Sequence, residues 1–317
     1  MELMETIDLA YQPSQLLGIP VALVGACFLS LGAQLQHHGV VKVESQTQNA
    51  SGGLNVKQLG LLLARPSWVV GTLLLGLAIV FQLVSLKLSP LILVQPLGVV
   101  GLVITSILNA RVSGVKLNRQ SILAVSLCVG GVGVFVLIAA VFARDLPVTS
   151  RSLVVILIVL AVVLVLFGAT FWFLRHRFKA IIYIVGAGVL YGFVATLAKV
   201  AIDRISNQAW DWLLVACIVA LLAAAILGAY FVQNAYSSGP PDLVIAGLTV
   251  IDPLVAVTIG IVVLDEAAGA PWWAMLGFAL TGAVAIYGVF LLAKHHPQSG
   301  GETPLTERLA DSAEKSA

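Results

Sequence analysis

Asp252 interrupts an otherwise uncharged apolar run over 243-264, and Pro253 follows it directly. A charged side chain at the centre of a bilayer costs about 2.5-3.5 kcal/mol on insertion scales, so one that persists there needs a partner or a function. At helical rise it lies about ten residues, roughly 15 Å, from the inner end of its run, which is near midplane. Pro253 removes a backbone donor and frees a carbonyl one turn earlier, which predicts a local break where a solute could bind. Asp252 therefore reads as a coupling or substrate-binding carboxylate, with a packed, hydrogen-bonded structural aspartate as the alternative. A carboxylate withdrawn from water can trade its charge for a proton, so H⁺ is the expected coupling ion.

Four further side chains could share that chemistry. Lys199 lies about 18 residues from the inner end of its helix, which puts it about 12 Å from the depth of Asp252, too far for pairing between straight helices. Snorkelling to the outer interface beside Asp203 and Arg204 is one reading, and a gate or a contact for an anionic substrate is the other. Gln82 and Gln95 both fall roughly 10 Å from the outer interface, where a facing pair of amides would line a polar cavity or bridge two helices. Tyr191 lies at comparable depth and offers a hydroxyl to the cavity or a ring to the core. Gln34, Gln36, His37, His38, Gln233 and Asn234 cluster at inner helix ends and read as interface residues. Asp265 and Glu266 fall at an outer helix end, where capping and turn geometry are expected. Cys27, Cys128 and Cys217 sit in apolar runs without metal-ligand spacing and read as small core residues. No His-Glu-x-x-His, Gly-x-Ser-x-Gly or phosphate-cradling Gly-x-x-x-x-Gly-Lys-Ser/Thr occurs, so neither an enzyme nor a nucleotide-driven pump is expected, and no cofactor or metal site.

The elements that must position these residues follow from composition. Hydrophobic residues make up 60% of the chain and charged ones 10%, with mean hydropathy +1.04, too few charges to cover a water-soluble domain of 317 residues. A formal charge of +2, with Lys and Arg spread along the chain, forms no basic stripe for nucleic acid. Uncharged runs long enough to cross about 30 Å of hydrocarbon are 16-36, 67-86, 88-110, 121-143, 152-174, 180-198, 212-241, 243-264 apart from Asp252, and 267-293. These predict an all-α integral membrane protein with about nine transmembrane helices, joined by short turns such as Ser89-Pro90 and Gly239-Pro240-Pro241. The first half spans 16-143 with four helices and a polar cytoplasmic loop over 41-57; the second spans 152-293 with five. Residues 1-15, acidic and unlike a signal peptide, are expected outside, and 294-317 form a polar, disordered cytoplasmic tail.

Orientation follows from the loop cations. With the N-terminus outside, Lys42, Lys57, Arg65, Arg111, Lys116, Arg119, Arg175, Arg177, Lys179, Lys294, Arg308 and Lys315 are inside, and only Lys87, Arg144, Arg151 and Arg204 are outside, which favours N-out and C-in in a bacterial plasma membrane. Trp68, Trp172, Trp210, Trp212, Trp272 and Trp273 all fall near proposed helix ends, as an interfacial belt requires. Glycines at 130, 131, 133, 186, 188, 192, 277 and 282 suit close helix packing, Gly188 and Gly192 being a small-xxx-small pair.

Gln95-Pro96-Leu97 in the third run and Asp252-Pro253-Leu254 in the eighth stand in helices expected to run in opposite directions, a weak inverted repeat. Ser89-Pro90-Leu91-Ile92-Leu93-Val94-Gln95-Pro96-Leu97-Gly98 resembles the Ala-Pro-x-x-Leu-Val-x-Pro-Leu-Gly signature of NIPA-type magnesium transporters. Ala235-Tyr236, Asp252-Pro253-Leu254 and Leu264-Asp265-Glu266 together are similar to the EamA pattern, which ends in a Leu-x-Glu turn. The chain thus resembles the drug/metabolite transporter superfamily over roughly 67-143 and 181-293. That resemblance implies two inverted halves and a secondary transporter of a small metabolite or lipid-linked solute working by alternating access, with a homodimer as an expected assembly. Asp252, Gln82, Gln95 and Tyr191 would line its site and Lys199 would serve as gate. The magnesium branch carries a Gly-Glu-x-x-Asn-Phe element in its second helix, where this chain reads Ala78-Ile79-Val80-Phe81-Gln82-Leu83. Ile79 replaces the carboxylate a hard divalent cation would use. A divalent-cation carrier is the first alternative, and a non-transporting scaffold or lipid-binding subunit the second.

Overall fold

Hydrocarbon offers no water to satisfy backbone N–H and C=O groups, so each uncharged run must close its own hydrogen bonds as a helix. The computed structural model of the protein, which describes residues 13–44, 62–112, 119–174, 180–238 and 241–294, is built that way, with no strand among those residues. A 3₁₀ turn over Pro13–Leu17 leads into α1 (Gly18–Glu44). Then come α2 (Pro66–Leu88), the short α3 (Leu91–Val94), a 3₁₀ turn at Gln95–Leu97 and α4 (Gly98–Val112). After them run α5 (Arg119–Phe142), α6 (Ser150–Leu174), α7 (Ala180–Ser206), α8 (Trp212–Ser238), α9 (Pro241–Val262) and α10 (Trp272–Lys294). Among the described residues nine helices are long and apolar enough to cross a membrane, with α3, the 3₁₀ turn and the start of α4 forming one of them, Leu91–Leu108. Residues 1–12, 45–61 and 295–317 lie outside the described residues, and with them the extracytoplasmic N-terminus, most of the 41-57 loop and the tail.

Several boundaries shift from those read in the sequence, α1 running on to Glu44 into the expected 41-57 loop, and three differences bear on the site. The sixth run continues to Ser206 instead of stopping at 198, because its charges are paired: Lys199 with Asp145, and Arg204 with Asp211. The last helix starts at Trp272, since residues 263–271 fold into a compact turn with Asp265 and Gly269 at positive φ. The third span is broken at Gln95-Pro96-Leu97, whereas Pro253, where a break was expected, lies inside an uninterrupted α9.

The helices alternate in direction, so the turns at 89–90, 143–149, 207–211 and 263–271 gather at the end of the bundle that also holds Gly18. There Asp203 accepts from the Val148 N–H at 3.2 Å, and the Arg144 N–H donates to the Glu266 carbonyl at 2.7 Å. Packing pairs α1 with α2 and α4, α7 with α8 and α9, and α5 with α10, while α9 also lies against α3 and α10. Small residues set the closest approaches. A Cβ on Gly188 would stand 2.6 Å from that of Ile251, and one on Gly192 2.7 Å from that of Val255, so this pair seats α9 on α7. On the α5–α10 seam a Cβ on Gly131 would meet the Ala285 nitrogen at 2.7 Å, and one on Gly288 the Cys128 nitrogen at 2.6 Å. Gly130 and Gly133 face open space instead. Trp210, Trp212, Trp272 and Trp273 are exposed at the turn end.

Candidate functional site

Asp252 stands in the middle of α9 where that helix meets α7, its backbone close to two glycines of α7. A Cβ on Gly192 would lie 3.0 Å from the Asp252 carbonyl oxygen, and one on Gly188 3.5 Å from its nitrogen. Its Oδ1 is buried and has no hydrogen-bond partner. Tyr191, between those glycines in sequence, lies within electrostatic reach of Asp252 and Tyr236, and its ring packs on Gly228 of α8. Leaving a buried polar atom unpaired costs about 1-3 kcal/mol, which makes Asp252 expensive as a structural residue.

On the other side of α9 lies an apolar crevice of about 80 Å³ between α4, α5, α9 and α10. Pro96, Phe135, Pro253, Val257 and Val289 are among its walls, and Thr249 supplies its hydroxyl-bearing side chain. Thr249 is the residue one turn before Pro253, whose missing N–H leaves the Thr249 carbonyl without its helical donor. Asp252 and Gln95 are absent from these walls although each adjoins a proline that forms them. The crevice and the carboxylate thus occupy opposite faces of one helix.

The other expected site residues are not gathered with Asp252. Gln95 is buried beside the helix break, with its Nε2 unpartnered. Gln82 sits half-buried where α2 passes Gly25 of α1, its backbone nitrogen 3.8 Å from where a Cβ on that glycine would stand. No hydrogen bond joins the two amides, so the facing pair is not formed. Ile79 is 62% exposed on the outward side of α2, so the position compared with the magnesium branch does not reach the bundle interior.

Lys199 does not snorkel. It is only 5% exposed and turns inward, with Nζ 2.8 Å from Asp145 Oδ1 and donating to the carbonyls of Ser89 at 2.8 Å and Leu86 at 3.2 Å. Those carbonyls end α2, where a cation complements the helix dipole. Glu266, also buried, completes the arrangement by accepting the N–H groups of Leu91 at 2.8 Å and Ile92 at 2.9 Å, just past the turn. Its capping role was expected, but the helix start it caps lies 174 residues away in the chain. Burial pushes the Glu266 carboxyl up to about 7, opposed by Lys199 and the two backbone N–H groups and assisted by Asp145. Sequence reasoning missed this cluster. Its faint signal was the Ser89-Pro90 turn, whose free carbonyls and N–H groups fall in an apolar stretch and require partners from elsewhere.

These features describe a polytopic, all-helical protein with the lengths and composition of a multi-pass membrane protein, a mid-helix carboxylate with one oxygen buried and unpartnered, and a charged cluster at one end. It is similar to an uncharacterised protein of Corynebacterium glutamicum, 26% identical over 294 residues that cover 91% of this chain and 98% of that one. No family model and no solved structure matches the chain.

Proposed function

We propose that the protein is a secondary transporter of the bacterial plasma membrane, N-terminus outside and C-terminus inside, moving a small metabolite or lipid-linked solute by alternating access. The observation that carries this reading is the buried Asp252 Oδ1 without a partner, midway along a helix whose opposite face lines a crevice. A scaffold has no use for a carboxylate held at that expense, whereas a coupling site needs one that can exchange a proton or a ligand.

Internal correspondences support an inverted repeat, and with it this reading. Gln95-Pro96-Leu97 and Asp252-Pro253-Leu254 are 157 residues apart, and the same spacing relates Cys128 to Ala285 and Gly131 to Gly288. Gly131 packs on Ala285 and Gly288 on Cys128, the reciprocal pattern a twofold axis would produce. Likewise Gly25 packs on Phe81 and Gly186 on Phe231, and each of those phenylalanines precedes a proline, Pro90 or Pro240, by nine residues. The pairings α1–α2, α1–α4 and α4–α5 recur as α7–α8, α7–α9 and α9–α10, leaving α6 as the link. Repeats of this kind set a site at the midplane interface of the halves, and Pro96 and Pro253 both wall the crevice.

Asp252 is the coupling or substrate carboxylate in this scheme, with Tyr191 beside it. The test starts from a thermal-shift screen of purified protein against amino acids, nucleotide sugars, lipid carriers and divalent cations, followed by liposome flux of whatever binds. Asp252→Asn keeps shape but cannot titrate, so it should fold, lose gradient-driven accumulation and keep exchange. Full accumulation in that variant would end the coupling role. Saturable Mg²⁺ flux competed by Co²⁺ would instead favour the divalent-cation alternative.

A further inference from the structure

The turn between α2 and α3 is held from two sides by different chemistry. Toward α1 the ties are neutral hydroxyls: Ser85 Oγ donates to the Gly18 carbonyl at 2.8 Å, and Ser89 Oγ accepts the Gly18 N–H at 3.1 Å and donates to the Gln15 carbonyl. Toward the second half they are charged: Lys199 from α7 holds the carbonyls before the turn, and Glu266 from the α9–α10 turn holds the N–H groups after it. Asp145, from the segment that follows α5, neutralises Lys199.

From this geometry we infer that Glu266, Lys199 and Asp145 form a proton-sensitive gate at the turn end of the bundle, clasping the α2–α3 turn while Glu266 is ionised. The inference relies on the transport reading for its purpose but not for its mechanism. An ionised carboxylate offers an acceptor oxygen to each of the Leu91 and Ile92 N–H groups. A protonated one keeps its carbonyl oxygen as an acceptor and turns the other into a donor, so one of the two ties is lost. Ties to α1 contain no titratable group, and separation therefore begins between the turn and the second half.

The charged groups around Glu266 act in opposite directions. Lys199 stabilises its ionised form and Asp145 opposes it. The neighbouring Asp265 is exposed, and Arg144 meets Glu266 through its backbone N–H while its guanidinium reaches toward Gly269. Burial places the transition near pH 7. Gly260 fixes the carboxylate's position, since a Cβ there would stand 2.7 Å from Glu266 Oε2.

Spin labels at the exposed Lys87 and Ala268, in full-length protein with its three cysteines replaced and reconstituted in nanodiscs, would report the separation by pulsed electron resonance between pH 5 and 9. One short distance is expected at pH 9, giving way to a longer one that is half-populated near pH 7. Glu266→Gln should show the longer distance at every pH, and Asp145→Asn should move the midpoint to lower pH. A pH-invariant distance in the parent, or a parent-like transition in Glu266→Gln, overturns the gate. Should Glu266→Gln fail to fold, Gly260→Ala, which keeps every charge but displaces the carboxylate, must shift or abolish the transition, and an unchanged one overturns the proposal equally. No substrate is present, so an opening transition in a protein that transports nothing would leave the gate standing and remove the transport reading. Proton-coupled flux with an invariant distance would do the reverse.

Discussion

Gln95-Pro96-Leu97 and Asp252-Pro253-Leu254 share a sequence pattern, yet one interrupts its helix and the other does not. The difference lies in what precedes each proline. Pro96 comes six residues after the Ser89-Pro90 turn, where α3 has made barely one turn and its first N–H groups are already spent on Glu266, so little cooperative helix resists a 3₁₀ adjustment. Pro253 comes twelve residues after the Pro241 start of α9, with nine more helical residues after it and α7 packed along its face. There, packing holds the helix through the missing hydrogen bond. A proline thus breaks the short, externally anchored helix and is tolerated by the long, well-packed one. The polar neighbour differs as well: an amide at the break, a carboxylate in the continuous helix.

The largest effects should come from the α5–α10 seam, which walls the crevice that Pro96 and Pro253 also line. Gly131→Leu and Gly288→Leu both drive a side chain into facing backbone, at 2.7 and 2.6 Å already for the Cβ, and both should abolish monodisperse folded protein in size-exclusion chromatography. Gly130→Ala and Gly133→Ala, which meet open space, should be silent. Clearly unequal damage from the two leucine substitutions would weaken the reciprocal relation between the halves.

Next come the prolines. Pro253→Ala restores the N–H that the Thr249 carbonyl lacks and should raise stability in detergent by on the order of 1 kcal/mol, less than the ~3 kcal/mol cost of an interior proline because the ring also fills the crevice wall. Pro96→Ala changes a residue where the helix is already interrupted and should shift the melting temperature less. A larger gain at Pro96 than at Pro253 would reverse the explanation offered for their difference.

The all-helical architecture and the nine candidate spans among the described residues were legible because hydrocarbon leaves one local solution for an uncharged run, and Asp252 stood out because charge is rare there. The glycines at 188 and 192 were legible as packing residues by their spacing. What the sequence could not place were contacts across long separations. Lys199 was misjudged because depth along its helix was known while rotation about the axis was not, and rotation sends it to Asp145 and the turn instead of the interface. The same ignorance of rotation paired Gln82 with Gln95. Glu266 was recognised as a cap, but nothing local indicated that the capped helix begins at Leu91.

The smallest expected effect sharpens the comparison most. Gln95 and Asp252 each bury a polar atom without a partner, and by stability alone both look costly. Gln95→Leu removes an unsatisfied donor and replaces it with apolar volume, so the melting temperature should stay level or rise by a few degrees, about 1 kcal/mol at most. Asp252→Leu removes an unsatisfied acceptor in a less tightly buried setting, and folding should survive there too. Their functions should diverge. An amide cannot carry a proton, so Gln95→Leu should leave gradient-driven accumulation within about twofold of the parent, whereas Asp252→Leu should abolish it. The paired measurement is detergent stability and liposome accumulation on both variants once a substrate binds. Loss of accumulation in Gln95→Leu as deep as in Asp252→Leu would show that the two positions act together at one site across the halves, not as a structural and a coupling member of a repeated pattern.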